Sequence, residues 1–182
     1  MTYFTLKKLD TDILIRHETP GDYEFITQIN DAAFGQRNEG LLIEDLRNTL
    51  LYIPHLSLVA VYNSRLIGHI LFYPVKIKND NIEFESLALA PMSVLPEFQN
   101  RGVGGKLIKE GLKTAKGLGF KSVIVLGHAE YYPKFGFKPA NKWGIKSPFP
   151  VENKYFMALE LTANALENTG GIVVYPDEFN YV

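Results

Sequence analysis

The chain has no cysteine. That excludes a disulfide framework, a thiolate nucleophile and any cysteine-ligated metal, and it fits a cytoplasmic protein. Neither sign of charge is in excess. Nineteen basic against 20 acidic side chains leave a net charge of −1, so the basic field that nucleic acid or an anionic membrane surface requires is missing. No apolar run reaches membrane-spanning length, and the opening MTYFTLKKLD lacks the apolar stretch of a secretory signal. There are no internal repeats and no low-complexity linker. Residues 1–182 therefore read as one domain, with a core over 13–161 and an extension over 162–182. What remains is an ordinary globular composition, 46% hydrophobic and 21% charged, on a chain long enough to bury a real core.

Residues 94–119 organise the rest. A strand end is followed by Pro96, which removes a backbone donor from regular pairing. Then come Gln99, Asn100, Arg101, Gly102, Val103, Gly104 and Gly105. From Val103 the apolar residues Leu107, Leu112, Ala115 and Leu118 recur at helical spacing, with Lys106, Lys109, Lys113 and Lys116 on other faces and Gly119 as a stop. A helix start presents N–H groups without intrahelical partners and the positive end of the dipole. Glycines let a bulky anion approach them, and the Arg101 guanidinium suits phosphate oxygens. A pyrophosphate is the natural ligand. A phosphate-loop reading fails because Leu107 follows Lys106 where Ser or Thr is required. A dinucleotide-binding G-x-G-x-x-G fails because Leu107 stands at the last glycine.

Around this stretch the pattern gives a strand over 13–16, a turn at 19–22, and helices over 23–34 and 39–51, the second with Leu42, Leu46 and Leu50 on one face. Strands follow over 56–62 and 66–77, joined by Asn63-Ser64-Arg65, and over 84–95. A fifth, continuously apolar strand covers 122–126 and is expected to be buried on both faces. A short helix near Pro133, two last strands over 139–143 and 155–161, and an aromatic tail that packs as a short extra strand complete the chain.

Gln99-Asn100-Arg101-Gly102-Val103-Gly104 fits Q/R-x-x-G-x-G/A between a strand and a helix, and Tyr132-Pro133-Lys134-Phe135-Gly136-Phe137 fits Tyr-x-x-x-Gly-Phe after the next strand. In this order the two motifs resemble the GNAT N-acetyltransferase superfamily. The resemblance implies an α/β fold with a twisted, mixed, mostly antiparallel sheet of six or seven strands flanked by helices, split in a V between the fourth and fifth strands. Pro96 is the expected cause of the split.

It also implies acetyl-CoA as acyl donor, no metal, and direct attack of a primary amine on the thioester in a ternary complex. The acceptor is a small-molecule or protein amine that the sequence does not select, and a homodimer is compatible with the family. On this reading the backbone of Ser93, Val94 and Leu95 faces the pantetheine arm. Gln99, Asn100, Arg101, Gly102, Val103, Gly104 and Gly105 hold the pyrophosphate. Tyr132 is the acid for the leaving thiolate, with Tyr131 beside it on the cofactor. His128 stands where many relatives carry an asparagine on the pantetheine arm. Glu83 or Glu85 is the expected general base. Arg37 and Glu39, in the break between the first two helices, fall in the substrate region. A non-catalytic acyl-CoA-binding module on the same fold is the alternative.

Overall fold

The computed structural model describes residues 12–80 and 82–181. In chain order the elements are β1 (Leu14–His17), α1 (Tyr23–Phe34), α2 (Asn38–Arg47), β2 (Ser57–Tyr62), β3 (Arg65–Asn79), β4 (Ile82–Val94), α3 (Val103–Gly117), β5 (Ser122–Leu126), β6 (Lys138–Pro139), β7 (Ile145–Lys146), β8 (Phe156–Glu160) and β9 (Gly171–Val174). They form one mixed sheet in the order β1-β2-β3-β4-β5-β8-β6, with β9 joining β3 to β7. Only the β4–β5 and β7–β9 pairs are parallel among the described residues. The fold class read from the sequence is the one observed, but the sheet has nine strands among the described residues where six or seven were expected, the excess coming from the two-residue strands β6 and β7.

The sequence explains most of these boundaries. Asn63 and Ser64 both take positive φ (47° and 62°), which turns β2 tightly into β3. The expected second helix stops early. Asn48 Nδ2 bonds the Glu44 carbonyl and Thr49 Oγ1 the Leu46 carbonyl, so local side chains satisfy the last turn at Arg47. Leu50, expected on the apolar face, is consequently fully exposed. The strand expected over 139–143 is also corrected: pairing ends at Pro139, and Ala140–Trp143 form a 3-10 turn. The turn that includes Asn81 lies partly outside the described residues.

Strand β3 sends alternate residues to two layers. Leu71 and Tyr73 meet Ile26, Ile43 and Leu46 of α1 and α2, while Ile70 and Phe72 share a cluster with Val103, Leu107 and Ile108 of α3. At the α3 crossing Gly111 lies so close to Phe72 that a Cβ would stand 2.1 Å from the ring. Alanine would favour the helix by about 1 kcal/mol, but overpacking a buried ring costs about 1–3 kcal/mol. Gly111→Ala is therefore expected to lower the thermal midpoint, and a midpoint at or above wild type would show that α3 can slide off Phe72.

The split between β4 and β5 is present and deeper than its expected cause allows. The two strands pair only at Leu87↔Val123 and Ala88↔Ile124. Directly after, Phe72 faces Leu89 but Ile70 faces Met92, so Ala90 and Pro91 together oppose one residue of β3. This β-bulge bends β4, and Pro91 has no N–H to offer a neighbour. Pro96 lies beyond the strand and opens the 3-10 turn Pro96–Phe98. The strand therefore diverges at Pro91, not at Pro96.

The tail does form a strand. β9 pairs antiparallel with β3 through Lys76↔Val174 and Lys78↔Ile172, beside the half of β3 that β2 does not reach. The following 3-10 turn, Asp177–Tyr181, packs on α2.

Candidate functional site: a cleft in the split sheet

A cleft of about 930 Å³ occupies the split. Its walls are the second half of β4, the start of α3, the end of β5 with the turn after it, the facing ends of α1 and α2, and the tail.

The glycine loop forms one end. Asn100 (φ 58°) and Gly102 (φ 89°) reverse the chain so that α3 begins at Val103 with its first N–H groups at the cleft. Gln99 Nε2 donates to the Val94 carbonyl at 3.0 Å and ties the loop to β4. The Arg101 guanidinium lies over the Phe98 ring at 5.8 Å, and its Nε is buried without a partner among the described residues. Lys106 and Lys109 also line this end. A Cβ on Gly104 would stand 2.7 Å from the Tyr131 hydroxyl. The donors, the cationic side chains and the missing Cβ together fit a pyrophosphate.

The floor is backbone. Leu95 N donates to Ile67 O at 2.9 Å, and Val94 is in register with Gly68. Antiparallel alternation then directs Leu95 and Ser93 toward β3, and Val94 and Met92 toward the gap left by β5. Of the three residues expected on the pantetheine arm, Val94 thus turns its amide to the cleft, while the Leu95 amide is committed to the sheet. Met92, which sequence reasoning missed, is Val94's counterpart two residues earlier. The Ser93 hydroxyl is buried at the cleft wall without a partner among the described residues.

Strand β5 ends at Leu126, and Gly127, His128, Tyr131 and Tyr132 line the opposite wall. The His128 carbonyl accepts from Tyr131 N at 3.0 Å and Tyr132 N at 3.4 Å, which tightens the turn. Tyr132 lies against Gly127, where a Cβ would stand 2.3 Å from its ring, and edge-on to Phe137 at 5.6 Å. Burial and the adjacent Tyr131 push the Tyr132 phenol well above its ordinary value. It stays protonated at neutral pH.

The expected general bases are not in the cleft. Glu83 and Glu85 sit at the far end of β4, in register with Lys78 and Lys76. Glu83 binds both lysines, at 2.5 Å and 2.7 Å, and those bonds hold its carboxyl down at about 2. Ser93 lies eight positions beyond Glu85 along the strand, a span of about 26 Å. The family-derived expectation fails because the bulge, not the strand start, lies beside the gap. Of the pair expected in the substrate region, Arg37 points out beside Asp31, while Glu39 does line the cleft. Glu39 Oε1 accepts from Gln36 Nε2 at 2.9 Å, and its Oε2 is buried without a partner among the described residues.

A buried polar brace fixes the helix that carries Glu39. Arg47 of α2 donates from Nε and Nη2 to Glu18 at 2.8 and 3.0 Å, and Tyr52 and Ser57 donate to the same carboxylate. Ser57 Oγ lies 2.8 Å from His69 Nε2. Burial alone would raise the Glu18 carboxyl, but the bonds from His69, Arg47, Ser57 and Tyr52 outweigh it and hold it far below the usual range. The His69 imidazole is depressed by its own burial. α2 is thereby anchored to β2 and β3.

The Acetyltransferase (GNAT) family model matches residues 23–137, from α1 through the turn that carries Tyr132. The chain belongs to the GNAT acetyltransferase family. It is thus an acyl-CoA-dependent N-acetyltransferase. Relatives extend the GNAT match beyond the motifs. The N-acetyltransferase YjhQ of Escherichia coli is 38% identical over 162 residues, 86% of this chain and 90% of that protein. The crystal structure of the GNAT protein YhbS of Escherichia coli, in complex with CoA, superposes with a TM-score of 0.86 at 28% identity, covering 93% of this chain and 92% of that one. A GNAT acetyltransferase of Brucella melitensis in complex with acetyl-CoA gives 0.75 at 34% identity, covering 92% and 98%. The β7–β9 segment and the tail lie outside the family match.

Among the described residues no group of His, Cys, Asp and Glu could hold a metal ion, and no helix is long and apolar enough to cross a membrane.

Proposed function

We propose that the chain transfers an acetyl group from acetyl-CoA directly to the nitrogen of a primary amine, both held in the cleft between β4 and β5. The observation that carries this reading is the split itself. The gap-facing amides of Met92 and Val94 run directly into a loop that ends at the N-terminus of α3. A pantetheine arm can pair with those amides as a substitute strand while its pyrophosphate rests on residues 101–105. When bound, acetyl-CoA supplies an activated acyl carbon. The amine nitrogen attacks it, the C–N bond forms, and the C–S bond breaks. Tyr132 donates the proton that the departing thiolate takes and recovers one from solvent. Glu39 and His128 both line the cleft, and either would take the proton lost by the nitrogen. His128 also replaces the asparagine expected beside the pantetheine arm.

Calorimetry and a thiol-release assay test the proposal together. One CoA is expected to bind per chain, and at least one primary amine to accelerate thiol release from acetyl-CoA. CoA binding with no turnover across amines of every class would leave an acyl-CoA-binding module.

A further inference from the structure

The end of the cleft opposite the glycine loop has a chemistry of its own. Three aromatic rings form a continuous wall there: Phe149 and Tyr175 with centroids 5.5 Å apart, then Tyr175 and Phe179 at 5.1 Å. Phe34, at the end of α1, adds a fourth ring and is 43% exposed. The wall adjoins the splay point of the sheet, because Tyr175 and Ala90 pack in the same cluster as Tyr73 and Phe179. Among the described residues the cleft carries one acidic side chain, Glu39, whose Oε2 is buried and unpartnered. Its lysines, Lys106 and Lys109, are on α3 and belong to the glycine-loop end.

We infer that the acceptor is a monoamine with an aromatic or bulky apolar body. The inference rests on the acetyl-transfer reading and names its acceptor class. Glu39 would hold the ammonium group as the substrate enters, and the rings would cover the body. Phe34 and the half-buried Phe149 and Tyr175 gain by being covered, since an apolar body removes their exposed surface from water, while Phe179 is already buried behind them. The same wall disfavours other amines. A polyamine would place a second ammonium among rings with no second carboxylate, and a buried unpaired charge is costly. A free amino acid would bring its own carboxylate toward Glu39 with no cation at that end to receive it. The rings come from the tail and from the loop before β8, whereas the motifs that define the family lie upstream. Phe149, Tyr175 and Phe179 therefore lie outside the region that the family model matches.

The test uses the full chain with acetyl-CoA and four probes: 2-phenylethylamine, spermidine, lysine and a tetrapeptide with a free N-terminus. The expected result is a kcat/KM for 2-phenylethylamine at least tenfold above each of the others. Glu39→Gln should raise the KM for 2-phenylethylamine tenfold or more while the calorimetric Kd for CoA stays within twofold. Phe149→Ala, at a half-buried loop position, should raise the same KM without changing the relative rates of the other three. Thermal midpoints of both variants check that the fold is intact. Preference for spermidine, lysine or the peptide overturns the inference and leaves acetyl transfer standing, as does CoA binding with no turnover of 2-phenylethylamine. Failure of the wild-type chain to bind CoA overturns the acetyl-transfer reading and this inference with it.

Discussion

Gly104→Asp is expected to reduce affinity for CoA on the order of a thousandfold. Gly104 sits in the first turn of α3, where the helix N–H groups meet the cleft. A carboxylate about 4 Å from a phosphate charge, at the effective dielectric of a protein surface, is repelled by about 4 kcal/mol, which is close to three decades in Kd. The fold itself should tolerate the change, because an acidic side chain in the first turn of a helix is favoured by the dipole. Bulk and charge can be separated. Gly104→Ala adds a Cβ 2.7 Å from the Tyr131 hydroxyl, the far end of a side chain that can swing aside, so its cost should be small. Calorimetry with CoA on both variants decides the matter. If the aspartate variant binds like wild type, the pyrophosphate does not rest on residues 101–105.

The parts of this site that could be read in the sequence are those fixed by local chemistry. Gly102 stands where φ is positive, Asn100 is a residue that tolerates the same region, and the apolar spacing after Val103 marks the α3 face that reaches Phe72. Tyr132 was legible through its spacing to Gly136 and Phe137. The V-shaped split was expected, yet its cause was assigned to the wrong proline. Pro91 sits inside a run that reads as uninterrupted strand, and only the register against β3 shows Ala90 and Pro91 sharing one partner. A bulge is a property of two strands, so one strand's sequence carries little trace of it.

The same limit explains Glu83 and Glu85. Their alternation places both on one face of β4, but the end of the strand that opens onto the gap depends on where β5 stops pairing. Met92 escaped notice because which amides face a gap depends on the hydrogen-bonding phase against β3. Tyr175 and Phe179 were visible as an aromatic tail without a destination. Their place follows from β9 pairing with the second half of β3, a contact across about a hundred residues of chain. The motif residues cluster at the loop proposed to hold the donor, where local backbone geometry decides. The residues proposed to meet the acceptor converge from α1, α2, a late loop and the tail, and no local pattern brings them together.

Tyr132→Phe is expected to lower kcat on the order of a hundredfold while the KM for acetyl-CoA and the calorimetric Kd for CoA change little. Only the hydroxyl is lost. The ring that packs on Gly127 and meets Phe137 and Tyr131 edge-on is retained, so the turn after β5 keeps its shape. A positioned general acid contributes on the order of a hundredfold or more, and the elevated phenol keeps its proton available at neutral pH. Tyr131→Phe is the comparison that assigns the role. The Tyr131 hydroxyl lies over Gly104 at the glycine loop. Removing it should weaken CoA binding and leave kcat at saturating acetyl-CoA close to wild type. A slow acceptor amine, chosen so that the chemical step limits turnover, makes the kcat comparison meaningful. Equal kcat for wild type and Tyr132→Phe under that condition would remove Tyr132 as the acid, and a large kcat loss in Tyr131→Phe would transfer the role to its neighbour. If both variants turn over normally, the thiolate takes its proton from water, and the tyrosine pair serves to shape the wall of the cleft.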